Sequence, residues 1–305
     1  LVISHDRYFL DSVVNRILEI ENKKSRIWNG NYTGYVNQKA IDREIQERHY
    51  VNQQREIKRI EAYIEQQRRW NRERNIIAAE SRQKLLVKME RVERPEALPD
   101  RIRMTFDSSG ESGNDVMSVR GLAKSYPGKA LFDSVSFEVK KHDRLFICGK
   151  NGCGKSTLIK ILAGRISPDK GFASLGYNVK IGYYDQENQD LHPNNTVIDE
   201  LWNAYPTMTE TTVRNALALF LFRGDDISKK VSVLSGGEKA RLTLARLMLS
   251  KMNLLILDEP TNHLDINSRE VLENALSGFD GTIIAVSHDR YFINKLATRI
   301  LDFGA

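Results

Sequence analysis

Apolar and polar positions divide the 305-residue chain into three parts. Residues 1–37 are rich in β-forming and turn residues, which is typical of the end of a β-containing domain. Residues 38–94 contain no Gly or Pro and are dense in Arg, Glu, Gln and Lys, which favours uninterrupted helix. In residues 95–305, strand patterns alternate with helical patterns, which predicts an α/β fold.

Two narrow apolar stripes run through residues 38–94. They have the spacing of one helix face packed on another, at Ile57, Ile60 and Ile64 and again at Leu85, Met89 and Val92. The stripes predict an α-helical antiparallel coiled-coil hairpin that reverses near Trp70 to Ile76. Its first helix, from Gln38 to about Arg69, would form an arm about 48 Å long.

Composition narrows the class of protein. With 41% hydrophobic and 28% charged residues, the chain is globular rather than disordered or fibrous. Its two cysteines, Cys148 and Cys153, make no metal pattern and favour a reducing compartment. The longest apolar run, Ala216 to Phe222, is far shorter than the ~18 residues of a membrane span. We expect no transmembrane segment in these residues and a cytoplasmic protein.

One hexapeptide occurs twice, 283 residues apart. Ser-His-Asp-Arg-Tyr-Phe begins at Ser4 and at Ser287, and Arg-Ile-Leu followed by an acid recurs at the same offset, at Arg16 and Arg299. The matching flanks favour duplication over chance. We therefore expect the C-terminal part of a tandem protein, trimmed at both ends, with residues 1–37 as the tail of a first domain.

A glycine-rich loop joins a short apolar strand to a helical pattern. The strand Leu145–Cys148 runs into G-x-x-x-x-G-K-S, from Gly149 to Ser156. Its glycines would let backbone N–H groups surround phosphate oxygens at a positively polarised helix N-terminus. Lys155 would reach the β- and γ-phosphates, and Ser156 would bind Mg²⁺. The alternative is a glycine turn that binds nothing.

Two carboxylates end a second apolar strand. Leu254–Leu257 precedes Asp258 and Glu259, and Asp258 lies 103 residues after Lys155. A parallel sheet would deliver these carboxylates to the phosphate side. Asp258 is predicted to hold Mg²⁺, directly or through water, and Glu259 to orient and deprotonate the attacking water.

A short motif between these strands supports two compatible interpretations. Leu-Ser-Gly-Gly-Glu, residues 234–238, leads into a helix predicted from Ala240 to about Leu249. Ser235 and Glu238 have the spacing of a capping box. A capped helix N-terminus with two glycines is also suited to holding a phosphate.

The order of these motifs resembles that of the ATP-binding cassette ATPases. The glycine-rich loop, the Leu-Ser-Gly-Gly-Glu signature, the Asp-Glu strand and His288 follow one another within residues 118–303. This resemblance implies a P-loop NTPase fold of the cassette type, ATP and Mg²⁺ as ligands, and ATP hydrolysis.

The resemblance also implies individual roles. Tyr126 would stack on adenine, Gln186 would contact Mg²⁺ and the attacking water, and His288 would contact the γ-phosphate. The alternatives are a strand-end aromatic, a surface glutamine and a capping histidine. Asn262 to Asp265 resembles the D-loop. The nucleotide-contacting set would be Tyr126, Gly149, Asn151, Gly152, Cys153, Gly154, Lys155, Ser156, Thr157, Ser235, Gly236, Gly237 and Glu238.

In such ATPases two cassettes pack head to tail, and the signature of one closes the phosphate site of the other. Residues 235–238 would therefore serve a first cassette, the partner to which His5 belongs. The Lys155 site would need the signature of that cassette, so we expect the chain alone to hydrolyse ATP weakly. A head-to-tail homodimer of the chain would pair Lys155 with Ser235 of another copy.

Most of the basic excess lies at one end of the predicted hairpin. Residues 66–91 have a net charge of +5, against +6 for the whole chain. Arginines beside an aromatic residue suit nucleic-acid phosphate backbones and base stacking, whereas the alternative is a solvated charged helix. The candidate contacts are Arg68, Arg69, Trp70, Arg72, Arg74, Arg82, Lys84 and Lys88.

The position of the hairpin resembles that in the F subfamily of cassette proteins. It joins two cassettes, after the His5 block and before Tyr126, and residues 30–35 also resemble that subfamily. The resemblance implies a soluble twin-cassette ATPase at the tRNA exit site of the ribosome, acting in translation or in antibiotic resistance. The alternatives are the ATPase subunit of a membrane transporter and a DNA-associated cassette ATPase, in which a coiled coil interrupts one cassette.

Overall fold

The computed structural model describes residues 2–4, 6–21, 24–70, 73–92, 112–185, 191–250, 252–262 and 264–303. The chain forms two compact units, one of Leu1–Tyr8 with Arg101–Ala305 and the other of Phe9–Asp100. The division into residues 1–37, 38–94 and 95–305 stays a prediction, and its first boundary falls within a continuous helix.

The α/β prediction for the larger unit is confirmed, because strands and helices alternate along it. The described helices are α1 (Arg7–Val13), α2 (Tyr32–Arg69), α3 (Glu73–Lys88), α4 (Lys155–Leu162), α5 (Val197–Ala204), α6 (Glu210–Leu219), α7 (Gly236–Leu249), α8 (Ile266–Ser277) and α9 (Arg290–Leu296). The described strands are β1 (Arg16–Glu21), β2 (Lys24–Asn29), β3 (Asp115–Tyr126), β4 (Lys129–Lys140), β5 (Arg144–Cys148), β6 (Lys170–Leu175), β7 (Ile181–Tyr184), β8 (Leu254–Asp258), β9 (Thr282–Val286) and β10 (Arg299–Asp302).

Helix α2 begins well before the predicted start at Gln38. The side chain of Asn31 accepts a hydrogen bond of 3.0 Å from the Gly34 N–H and caps the helix at its N-terminus. This cap sets the first helical residue at Tyr32, so α2 has 38 residues and a length of about 57 Å.

Helices α2 and α3 pack antiparallel to each other. Gln53 of α2 hydrogen-bonds to the carbonyl oxygen of Glu90 at 2.7 Å and to the Val92 N–H at 2.8 Å, just beyond α3. Arg68, near the other end of α2, donates to the Gln83 side chain within α3. The chain thus reverses direction after Arg69, close to the predicted position, and forms a helical hairpin.

A small apolar core joins the two helices. All three isoleucines of the first predicted stripe are buried. The second stripe is wrong at one of its residues, because Leu85 is 45% exposed and Leu86 packs into the core instead. Met89 of the predicted stripe packs against the same core, in which Ala79 is fully buried, so the small Ala79 lies on the buried face of α3.

A five-stranded parallel sheet forms the centre of the larger unit. Its strand order is β10-β5-β9-β8-β7, and a separate antiparallel sheet has the order β4-β3-β6. Strands β8 and β9 are buried along their whole length, as expected for parallel strands that are covered on both faces.

Alternate side chains of the parallel sheet pack into two cores. Leu255 and Leu257 of β8 join the core formed with helices α5 to α9. Leu254 and Ile256 join a second core, formed with α4 and the antiparallel sheet. This two-sided burial holds β8 in register and so fixes the position at which its last residue, Asp258, emerges.

Within the part of the chain that the structure describes, no helix has the length and apolar character that crossing a membrane requires.

The hairpin core generates a stability prediction. Ile60→Ala should lower the free energy of unfolding of the hairpin by about 2–4 kcal/mol, because it leaves a cavity against α3. Ile77, which is 62% exposed on α3, offers a matched control, and Ile77→Ala should change stability by less than ~0.5 kcal/mol. Hydrogen exchange of α2 and α3 amides measures both effects. Equal protection in the two variants would contradict this packing.

Candidate nucleotide site

Three strands of the parallel sheet end side by side. In the sheet register Ile147 of β5 pairs with Val286 of β9, and Val286 also pairs with Asp258 of β8. The segments that follow these three residues therefore leave the same edge of the sheet. They are the glycine-rich loop, Glu259 and His288, which the sequence predicts to act together.

The glycine-rich loop depends on backbone conformations that favour glycine. Gly149 has a φ of +153°, and a Cβ atom there would lie 2.5 Å from the Phe303 carbonyl oxygen. Gly154 has a φ of +105° and precedes the first residue of α4. Because Gly154 ends the loop, α4 begins at Lys155 and its N-terminal N–H groups point towards the loop.

The ammonium group of Lys155 is folded back on this loop. The residue is 6% exposed, and its Nζ donates to the carbonyl oxygens of Gly149 and Lys150, both at 2.9 Å. A buried ammonium group needs such acceptors to offset its lost hydration. The positive charge is therefore held at the centre of the loop.

Ser156 and Asp258 form a pair of oxygen donors beside the lysine. The Ser156 hydroxyl donates to Asp258 Oδ1 at 3.1 Å, and Asp258 is 7% exposed. Mg²⁺ prefers hydroxyl, carboxylate and phosphate oxygens and retains several waters. The two side chains fit the protein share of such a site.

Glu259 and His288 contact each other at this edge of the sheet. Nε2 of His288 lies 3.3 Å from Glu259 Oε1, and the His288 backbone N–H donates to Glu259 Oε2 at 3.3 Å. Burial raises the pKa of Glu259 above its ordinary value of 4.5, and the nearby His288 opposes this rise in part. Glu259 also has a φ of +46°, an unusual backbone conformation for a residue with a side chain.

These groups line one cleft of about 500 Å³. The predicted site residues that line it are Tyr126, Asn151, Gly152, Gly154, Lys155, Ser156, Thr157, Glu259 and His288. Two further predicted residues contact the residues that line the cleft. Asp258 accepts a hydrogen bond from Ser156, and the Gly149 carbonyl oxygen accepts one from Lys155. Cys153 lies beside Gly149 within the loop. Gln186, His263 and His5 lie outside the described residues.

Two positions at the cleft have no motif to mark them in the sequence. Leu131 of β4 lines the cleft beside Tyr126. Lys129, at the start of the same strand, donates from Nζ to the Gly152 carbonyl oxygen at 3.0 Å. Both residues belong to β4 of the antiparallel sheet. They reach the glycine-rich loop through tertiary packing, which the local sequence does not reveal.

The Leu-Ser-Gly-Gly-Glu motif forms the capping box that its spacing predicts. The Ser235 hydroxyl accepts from the Glu238 N–H at 3.3 Å, and Glu238 Oε2 accepts from the Ser235 N–H at 2.8 Å. Burial acts to raise the pKa of Glu238, but the hydrogen bonds from Ser235 outweigh it and lower that pKa. Because this cap sets the helix start, α7 begins at Gly236 rather than at the predicted Ala240. Of the described residues that line the cleft, none belongs to 235–238.

The raised pKa of Glu259 predicts a pH-dependent cost in stability. The folded state holds this proton more tightly than the unfolded state, so stability falls as the pH rises from 4.5 through the folded pKa. Glu259→Gln should therefore raise the melting temperature at pH 7, and the gain should vanish near pH 4.

Thermal unfolding across a pH series measures this effect. Glu210→Gln, which removes an exposed carboxylate on α6 that pairs with Arg214, serves as the matched control and should not raise the melting temperature. A Glu259→Gln melting curve that follows the wild type at every pH would show that burial imposes no such cost.

Comparison with protein families shows the same organisation. A model described as ABC transporter matches residues 132–262, and a second model with the same description matches residues 18–106. The first match includes the glycine-rich loop, the signature motif and Glu259. The second includes the helical hairpin.

Related proteins match along almost the whole chain. YdiF of Bacillus subtilis, named as an ATP-binding protein, is 46% identical over 100% of the chain and 47% of its own length. ABC transporter F family member 5 of Arabidopsis thaliana is 37% identical, over 99% of the chain and 44% of its own length. The energy-dependent translational throttle protein EttA of Escherichia coli is 36% identical, over 99% of the chain and 54% of its own length. The chain thus spans about half the length of these relatives.

A solved structure shares the fold. It is a dimeric ATP-binding cassette in a post-hydrolysis state with ADP and Pi, and it matches 59% of this chain and 90% of its own with a TM-score of 0.50 and 22% identity. The family models, the relatives and this fold agree with the cleft geometry. The chain therefore belongs to the ATP-binding cassette family, and its relatives place it in the F subfamily.

Proposed function

We propose that the chain is the linker and second cassette of a cytoplasmic twin-cassette ATPase that acts on the ribosome. In this proposal residues 1–37 end a first cassette, residues 38–94 form the linker, and residues 95–305 form the second cassette. The observation that carries the ATPase part is the assembly of Lys155, Ser156, Glu259 and His288 in one cleft.

The cleft has a suitable volume for ATP, an aromatic side chain at the side proposed for adenine and N–H groups at the side proposed for the phosphates. Its volume lies within the ~300–1,000 Å³ typical of small-molecule sites. Tyr126, 46% exposed at one side, offers an aromatic face to adenine. The glycine-rich loop and the N-terminus of α4 offer N–H groups to the phosphates. Lys155 would exchange its two carbonyl acceptors for phosphate oxygens.

Glu259 and His288 would act on the terminal phosphate. A carboxylate whose pKa is raised is a stronger base, so burial suits Glu259 to take a proton from the attacking water. His288 holds both Glu259 oxygens and would orient that carboxylate. Mg²⁺ held by Ser156 and Asp258 would neutralise charge on the phosphates. Gln186 would assist as the resemblance implies.

The signature motif would complete the phosphate site of another cassette. Ser235 and Gly236 are exposed, and the capping box leaves the N-terminus of α7 directed outwards. The related solved cassette is a dimer. The first cassette would therefore receive residues 235–238, and a homodimer of this chain would be a weaker substitute.

Removal of the proposed base tests the chemical step. In the full-length protein, Glu259→Gln should slow hydrolysis at the second site by about 10²–10⁴-fold, because a neutral amide cannot accept the proton. Binding of ATP should persist, since Lys155 and the glycine-rich loop are unchanged. Single-turnover hydrolysis and nucleotide binding are measured on the same sample. Undiminished hydrolysis at that site would remove Glu259 from this role.

The hairpin supports the ribosome part of the proposal. Of the eight basic residues in 66–91, the described ones are all exposed, and Arg72 lies outside the described residues. Trp70 is 56% exposed at the turn that follows α2. A relative that matches 99% of the chain is named as a translational throttle protein. This combination favours RNA as the partner of residues 66–91, which are called the hairpin tip below.

The rival functions leave the hairpin unexplained. The ATPase subunit of a membrane transporter would need a surface for transmembrane domains but has no use for a basic helical tip. A DNA-associated cassette ATPase would carry its coiled coil inside one cassette, whereas the hairpin here precedes β3 and the whole of the described cassette.

Charge reversal at the tip tests the RNA contact. If four phosphates are contacted, log K for ribosome binding should fall with log salt at a slope of about −3. Replacement of Arg68, Arg69, Arg72 and Arg74 by Glu should weaken binding and flatten this slope. Trp70→Ala should weaken binding less, by about 1–3 kcal/mol if the ring stacks on a base. The measurement is ribosome binding by full-length, hydrolysis-deficient protein across a salt series.

A control with the same change in charge is available on α2. Arg48, Arg55, Lys58 and Arg59 are exposed along the helix and away from its C-terminal end. Their replacement by Glu should retain most of the slope if the contact is local to the tip. Equal binding and equal slopes for wild type and tip variant would leave the hairpin as a spacer.

A further inference from the structure

In the described residues, the two copies of the repeat carry equivalent helices and strands. Helix α1 begins at Arg7 and α9 begins at the equivalent Arg290, and each has seven residues. The strands that follow, β1 and β10, also begin at equivalent arginines, Arg16 and Arg299. The repeat is therefore structural as well as sequential.

The two copies also contact each other, and they do so reciprocally. The Arg7 guanidinium lies 5.0 Å from the centre of the Tyr291 ring. The Arg290 guanidinium lies 4.7 Å from the centre of the Tyr8 ring. Tyr8 and Tyr291 are themselves equivalent positions of the repeat. Residue i of one copy thus contacts residue j of the other, and j contacts i, as in an interface with two-fold symmetry.

Buried charges reinforce one side of this contact. Arg7 is 5% exposed and forms an ion pair with Glu273 of α8, whose side chain is 3% exposed. Arg7 also lies 3.6 Å from Asp289, the N-cap residue of α9. Lys295 and Arg269 approach the same two carboxylates at 3.2 and 3.3 Å. Five charges of alternating sign therefore hold residues 7 and 8 against α8 and α9.

We propose that the two hexapeptides form a reciprocal interface by which the first and second cassettes hold each other. Each cassette contributes one arginine and one tyrosine. The arginine of each cassette packs against the tyrosine ring of the other. The proposal rests on the twin-cassette arrangement proposed above. It adds a contact surface apart from the nucleotide cleft, made of Arg7, Tyr8, Glu273, Arg290 and Tyr291.

The symmetry makes a prediction about the first cassette. Arg7 is received by Glu273, which lies 15 residues before His288. Arg290 is exposed in this chain, so an acid of the first cassette should receive it. That acid should lie at the equivalent place, 15 residues before His5. An apolar or basic residue there in the full-length sequence would overturn the reciprocal interface.

The interface would also connect the two histidine loops. Arg7 lies two residues after His5, and its partner Asp289 directly follows His288. A shift of the His288 loop would therefore move a carboxylate that holds the first cassette. This places a physical connection between the two phosphate sites.

Double-mutant cycles on the 305-residue chain test the contact without nucleotide. Arg7→Met, Tyr291→Leu, Arg290→Met and Tyr8→Leu are combined in pairs, and urea unfolding is measured. The Arg7–Tyr291 and Arg290–Tyr8 pairs should each show a coupling of about 2- to 5-fold in the unfolding equilibrium constant. Arg7→Met with Glu273→Gln should show a larger coupling, of about 10- to 100-fold.

The control cycle pairs Arg7→Met with Glu138→Gln, an exposed carboxylate on β4, and should be additive. If Arg7→Met unfolds the chain, the Arg290–Tyr8 cycle still decides, because both residues are exposed. Additivity in both stacking cycles, or in the Arg290–Tyr8 cycle alone if Arg7→Met unfolds the chain, would overturn the interface. No cycle involves ATP or the ribosome. Loss of coupling in the chain, with intact ATP hydrolysis by the full-length protein, therefore rejects only this interface. Coupling in the chain, with no ATP hydrolysis by the full-length protein, rejects only the proposed function.

Discussion

The parallel pairing of β5, β9 and β8 is the constraint on which the cleft depends. Its register sets Ile147, Val286 and Asp258 in one row, so the segments that follow them leave the sheet together. Residues far apart in sequence, such as Lys155 and His288, meet because of this row. Burial of β8 and β9 in two cores keeps the register from slipping, since a shift by one residue would exchange their faces.

Buried charge carries the chemistry of the molecule and limits its stability. Lys155 is held by loop carbonyls, Asp258 by Ser156, and Glu259 by His288. At Glu259 the pairing offsets the loss of hydration only in part, as the raised pKa of this residue shows. The same principle operates at Arg7, where Glu273 and Asp289 make burial of a guanidinium tolerable. The proposed nucleotide site and the proposed interface are thus both built from charges removed from water.

Motifs with a local physical cause could be predicted from the sequence. The glycine-rich loop, the capping box of Ser235 and Glu238, and the isoleucine stripe of α2 each depend on neighbours within a few residues. The sequence pattern predicts helix starts at Gln38 and Ala240, which are too late because the caps at Asn31 and Ser235 define the first turn. The stripe predicted for α3 is wrong at Leu85, because a stripe of large apolar residues does not mark the small buried residue Ala79. Leu131 and the Arg7–Glu273 pair depend on packing between distant segments, which no local pattern encodes.

The central claim is that this cleft binds ATP through Lys155 and the glycine-rich loop. Calorimetric titration of the chain with ATP and Mg²⁺, beside Lys155→Ala, tests it most directly. The account predicts one nucleotide bound per chain and a loss of most of the affinity in Lys155→Ala, because the buried ammonium group is the positive charge at the centre of the loop. Equal affinity in the two proteins would contradict it.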